Sequence, residues 1–242
     1  MSRSWIRAAL AAAFVSVIAP AAQAQLIADK LWIDVQAGSN GGRHDVVLSN
    51  ESPRRYFITV EAAEILMPGT AEEARVKIEN PEELGLLVSP NRMILEPGAS
   101  RSLRIVSINE ALEQDRIYRV RVTPTVGEIE ANPAEGEERG INLVMLTAYD
   151  LLVTVRPGNP RAEIVAEKDP SALRLKNTGN SNTLLIDGTA CHRSGGEEVC
   201  QRLEDRRLYA GSVISIPLPS PDATVRFRAR DRVGARERDL TF

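Results

Sequence analysis

Apolar and polar residues alternate along most of the chain in short runs, with hardly a 3.6-residue apolar period among them. Residues 43–48, 56–60, 92–95, 100–108 and 116–122 are rich in β-branched side chains or alternate with the period of a half-buried strand. Asn40-Gly41-Gly42, Asn50-Glu51-Ser52-Pro53, Pro68-Gly69 and Glu96-Pro97-Gly98 separate these runs with turn-forming residues. Such spacing predicts an all-β sandwich. Residues 72–83, mixed and charged, are expected to form a loop or a short helix. Two prolines and a glycine within Arg156-Pro157-Gly158-Asn159-Pro160 mark a domain boundary. Beyond it, runs at 163–166, 173–176, 183–186, 213–217, 224–229 and 239–242 predict a second, smaller sandwich. The expected domains cover residues 25–157 and 158–242, and no repeat aligns between them.

The longest run, INLVMLTAYDLLVTV at residues 141–155, is apolar on both faces of the strand expected over 140–155. Ile141, Leu143, Met145, Tyr149, Leu151 and Val153 share one face, and Val144, Leu146, Ala148 and Leu152 share the other. Fully extended, it would reach about 50 Å, more than twice the length of a typical strand, and so outrun its own sheet. A central strand buried between two sheets accounts for the two apolar faces. So does an apolar edge that pairs with another polypeptide.

The first 24 residues read as a separate object. Arg3 and Arg7 form a positive start, about 11 mostly apolar residues follow, and Ala22-Gln23-Ala24 is a small-residue cleavage signal before Gln25. That run is too short to span a bilayer, which needs roughly 20 residues, so a cleaved secretory signal is expected and no membrane span. The chain is 43% apolar and 26% charged over 242 residues, which excludes collagen, coiled coil and a wholly disordered chain. Its 30 Lys plus Arg against 33 Asp plus Glu provide no global basic field, and a nucleic-acid partner is not expected. Cys191 and Cys200 are the two cysteines, nine apart around a turn-like Arg193-Ser194-Gly195-Gly196. In an exported chain, an even count at hairpin distance predicts a structural disulfide.

Catalytic chemistry finds little support. His44 and His192 fall in different expected domains, and no nucleophile-elbow, zincin or Ser-Xaa-Xaa-Lys signature is present. Gly195-Gly196 lacks the Lys and helix of a phosphate loop, and the acidic stretch 127–140 lacks EF-hand spacing. No catalytic residue, metal or cofactor is expected. Arg226, Arg228, Arg230 and Arg232 alternate on a strand and invite an anionic partner, but the interleaved Asp231, Glu237 and Asp239 favour an ion-paired edge.

Three segments share a pattern with a known family. LLVSPNRMILEPGASRSLRIV at residues 86–106 is similar to its block of a proline, a Leu-Glu-Pro-Gly turn and a basic-apolar strand; VVLSN at 46–50 and LLVTVRP at 151–157 also match. The chain resembles the periplasmic chaperones of the chaperone-usher pilus-assembly pathway, most closely over the first domain and as a divergent branch in the second. The resemblance implies two immunoglobulin-like sandwiches in a two-domain chaperone, exported to the periplasm, with pilus or fimbrial subunits and an outer-membrane usher as partners. It implies that the long strand completes a subunit sandwich that lacks its last strand. By position, Ile141, Leu143, Met145 and Thr147 match the inserted residues.

The resemblance also implies two basic residues in the interdomain cleft that anchor the subunit's terminal carboxylate. The long-strand position is Leu152 here, with acidic Asp150 nearby, and Lys30 is a loose match for the first-strand residue. Anchoring by Lys30, by Arg156, or without a clamp stays open. An interdomain ion network is implied at Asp115, Arg156 and Asp231. The alternative function is an exported immunoglobulin-like adhesive or pilus-structural subunit. Such a subunit would carry an alternating N-terminal extension, for which residues 25–30 are too short.

Overall fold

A computed structural model of the chain describes residues 26–38, 42–127, 145–232 and 234–242; the expected signal peptide, Ile141 and Leu143 lie outside them. The first half contains β1 (Leu26–Ala28), β2 (Trp32–Gln36), β3 (Arg43–Asn50), β4 (Tyr56–Leu66) and β5 (Ala74–Val76). The short helix α1 (Pro81–Leu84) follows, then β6 (Leu86–Ser89), β7 (Arg92–Leu95), β8 (Ser100–Ser107), β9 (Arg116–Thr125) and β10 (Tyr149–Arg156). Two sheets face each other. One has the order β1-β3-β8-β6, and the other β2-β10-β9-β4-β5 with β7 also on β4. The chain changes sheets at residues 29–31, where Asp29 Oδ1 accepts the Val47 amide at 2.8 Å.

Alternation places the core as the sequence pattern predicts: on β4, Tyr56, Ile58 and Val60 are buried while Phe57, Thr59 and Glu61 face out. The charged stretch 72–83 forms β5 and leads into α1. Asn80 caps α1 by accepting the Glu82 amide at 3.0 Å, and Pro81 occupies the first turn. Gly85 ends the helix at φ 74°, where a Cβ would also strike the Asn109 and Arg116 side chains.

The second half contains β11 (Ile164–Lys168), β12 (Ala172–Asn177), β13 (Thr183–Ser194), β14 (Glu197–Arg202), β15 (Arg206–Leu208), β16 (Val213–Pro217), β17 (Thr224–Arg230) and β18 (Arg238–Thr241). Its sheets are β11-β12-β16 and β14-β13-β17-β18, with β15 also on β13. Leu173, Leu175, Leu185, Val225 and Phe227 form a core that shares no residue with the first, which runs from Leu26 to Val155. Among the described residues no helix is long and apolar enough to cross a membrane.

Cys191 and Cys200 are direct cross-strand partners on β13 and β14 and form a disulfide. Closing so short a loop contributes about 2 to 3 kcal/mol through the unfolded chain. Replacing both cysteines by serine is therefore expected to lower the unfolding free energy from urea titration by that amount, with a lower midpoint and a slope that is equal or steeper because the uncross-linked chain exposes more surface. Thiol titration of the unfolded, non-reduced parent should find no free thiol, and two titratable thiols would refute the pairing.

Candidate functional site

Over the described part of the long apolar run, strand begins at Tyr149, and residues 145–148, which the sequence pattern places in the strand, lie outside it. Residues 149–151 pair with β9 alone; from Leu152 to Val155 β10 is an interior strand, parallel to β2 on one side and antiparallel to β9 on the other. Its two apolar faces have separate destinations. Leu151, Val153 and Val155 enter the first core, whereas Leu152 joins Ile65, Ile117 and Tyr209 in a small cluster that couples the two halves. Met145 and Thr147, which precede the strand, belong to no strand and are exposed; Met145 keeps 77% of its surface.

The reason the strand stops lies on its neighbour. The Val60 amide donates to Asn91 O on the β7 side, so the even-numbered residues of β4 point away from β9. Pro124 sits opposite Ile58 and therefore turns its backbone nitrogen towards β10. On β10 the Leu152 amide donates to Leu31 O, which directs the odd-numbered residues towards β9. Continuing the register past Tyr149↔Val122 puts Thr147 opposite Pro124, which has no N–H to offer. The ladder ends one pair earlier.

Arg156, at the other end of β10, is buried at the junction of the two halves. Its Nε donates to Asp34 Oδ1 at 2.9 Å, and its Nη1 donates to Ser181 Oγ and lies 3.6 Å from Asp115 Oδ2. Asp115 Oδ2 also accepts the Asn182 backbone amide at 2.7 Å and the Ser181 hydroxyl at 3.1 Å. Burial pushes the Asp115 carboxyl above the usual carboxylate range, although the Asn182 amide and Arg156 pull the other way. Asp231 borders a small cavity together with Arg156 and Ser181, and its ion-pair partner is Arg238 of β18, at 3.3 Å. Asp34, the other carboxylate paired with Arg156, lies on the face of β2 opposite buried Ile33 and Val35.

Between the halves lies a cavity of about 870 Å³, bordered by Asp34, Arg119 and Leu152 on one side and Arg207, Tyr209 and Arg232 on the other. Lys30 does not reach it. At the sheet change, its Nζ donates to Asp45 O at 2.7 Å and pairs with Asp29 at 3.1 Å. Asp150 is neutralised by a bidentate pair with Arg75, at 2.9 and 3.1 Å. Arg207 donates to the neutral Asn182 side-chain oxygen at 2.6 Å, and burial depresses its pKa. Arg228 and Arg230 both pair with Glu237, as an ion-paired edge requires.

No family model matches the chain. Among curated proteins it is similar to a CS1 fimbrial subunit of Escherichia coli, 27% identical over 176 residues that cover 71% of this chain and 73% of that protein. Among solved structures, the class 5 fimbriae chaperone CfaA superposes with a TM-score of 0.67 at 20% identity, over 90% of this chain and 97% of the other. A chain of a chaperone–tip adhesin complex of CFA/I fimbriae biogenesis gives 0.62 at 21% identity, over 90% and 98%. The fold is that of a two-domain fimbrial chaperone.

Within this chaperone fold of two immunoglobulin-like sandwiches, several residues that shape the site carry weak sequence signals. Asp34 is legible as the polar member of Ile33-Asp34-Val35, and Pro124 as a proline inside an alternating run. Ser181, Asn182 and Arg207 become neighbours of Arg156 only when the second sandwich docks.

Proposed function

We propose that the chain is a periplasmic chaperone that binds fimbrial subunits, completes their unfinished sandwich with the apolar segment leading into β10, and delivers them to an outer-membrane usher. The observation that carries this reading is the change along one run from a buried, doubly paired strand at residues 152–155, through residues 149–151 paired to β9 alone, to an exposed apolar continuation at residues 145–148. Such a segment offers main-chain groups to an open sheet edge, and alternate side chains, Met145 among them, to an exposed core. The first domain, residues 25–157, donates the segment, with Ile141, Leu143, Met145 and Thr147 as the inserted residues; the second, 158–242, walls the cleft. The role is binding and calls for no reaction.

The name of the CS1 relative suggests the alternative, a structural subunit. A subunit lacking its last strand would leave core side chains open, whereas Leu48, Leu103, Leu175 and Val225 are each 0% exposed. That closure favours the chaperone. Periplasmic co-expression with candidate fimbrial subunits should yield a copurifying complex in which the subunit resists proteolysis. Subunits that are equally stable alone would refute the reading.

The anchor for the subunit's terminal carboxylate shifts from Lys30 to Arg119 and Arg207, which line the cleft from the two halves and, among the described residues, donate to the Asp150 carbonyl and the Asn182 side chain, not to a carboxylate. A charge-assisted bond contributes about 1.5 to 3 kcal/mol, so Arg119→Met or Arg207→Met should each weaken capture about tenfold or more. Surface-binding measurements with a subunit extended by one residue provide the control. If the extension abolishes the difference between parent and variant, the carboxylate is the group read; a difference that persists removes the clamp.

A further inference from the structure

Pro124 occupies a position in β9 where a proline removes one bond and no other. Residues of β9 that face β4 alternate with those that face β10, and Phe57↔Thr125 and Thr59↔Thr123 are the bonded pairs to β4. A proline at 123 or 125 would break the ladder to β4 and loosen the sandwich. At 124 it leaves that ladder whole and denies a donor only to Thr147. The consequence is local: residues 145–148 carry no strand pairing although Tyr149, next in the chain, is bonded to Val122.

We infer that Pro124 is a positioning residue that keeps residues 145–148 off their own sheet, so that this segment becomes ordered only against a partner strand and lets that partner go readily. This rests on the proposed chaperone function. If β9 had a donor here, Thr147 would be tethered on its inner edge before any partner arrived. The backbone groups of Leu146 and Ala148, which face the other way, would then be presented already extended. Without the donor, the ordering cost falls on the binding step, which weakens the complex chiefly by speeding its dissociation. A chaperone that must surrender its cargo gains from that weakness.

The test is Pro124→Thr, which supplies the missing N–H with a side chain suited to a strand. In the free protein, hydrogen exchange at the Thr147 amide is expected to slow about tenfold or more, because the new amide at 124 donates to the Thr147 carbonyl and holds Thr147 N–H against the carbonyl of residue 124. Release of a captured subunit into excess unlabelled chaperone is expected to slow about fivefold or more. Adding Thr147→Pro removes the other bond of that pair, from Thr147 N–H to the carbonyl of residue 124, without touching groups that face a partner, and should return the release rate towards the parent's. Unchanged exchange at Thr147 would overturn the inference, and so would slowed exchange with unchanged release. Exchange is read without a subunit, so it judges the pairing by itself; absence of capture by parent and variant alike would refute the chaperone reading and the release claim that rests on it.

Discussion

Replacing Leu143 and Met145 together by glutamate is expected to abolish subunit capture while leaving the chain folded. Met145 is 77% exposed, so a carboxylate there costs the free protein almost nothing; surface substitutions of this kind usually stay within about 0.5 kcal/mol. Leu143 stands two residues earlier in the alternating run and so shares its face. In a complex, both side chains would enter a subunit's apolar core, where an unpaired carboxylate costs several kcal/mol. Two such groups should reduce capture by about a thousandfold or more, beyond what copurification detects. Thermal melts of parent and variant report the fold, and complex yield after co-expression reports capture. Undiminished yield from a folded double variant would defeat the donor-strand reading.

The alternation rule found β7 and β16 to the residue, because both are short strands whose neighbours reach as far as they do. It placed residues 145–148 in the strand as well, and they lie outside β10 for a definable reason. Apolar periodicity reports what a segment can bury, whereas strand length depends on donors in another strand, and Pro124 withdraws one of them. The two apolar faces of the run left a buried central strand and a binding edge both open. Residues 152–156 take the first course: Leu152 meets Tyr209 from the other sandwich instead of solvent or a foreign chain. Lys30 and Asp231 have partners within their own halves, which the sequence did not foretell because pairing in a junction is a property of docking. Lys30 turns at the sheet change, and Asp231 pairs with Arg238 across its own hairpin. Asp115 and Arg156 do lie together, 3.6 Å apart.

Arg156→Ala is expected to destabilise the protein by about 3 kcal/mol, because it strands two carboxylates at the junction. They are not equivalent. Asp34 keeps 22% of its side-chain surface and can recover water, whereas Asp115 keeps 3%. Most of the cost should therefore fall on Asp115, and a double-mutant cycle with Asp115→Ala should show strong coupling. Additivity within about 0.4 kcal/mol would remove Asp115 from the network. The pH dependence gives a second reading. Burial already raises the Asp115 carboxyl, and the loss of Arg156 removes one of the influences that lower it, so the group should rise further in the variant. A carboxyl with a raised folded-state pKa contributes its full stability below the unfolded value, roughly pH 4, and loses it as pH climbs through the folded value. The variant's deficit relative to the parent should accordingly be small near that pH and widen towards neutrality, as followed by urea unfolding across the range. A deficit that stays constant with pH would mean that Arg156 acts by filling space and donating to Ser181, with the charge of Asp115 playing no part.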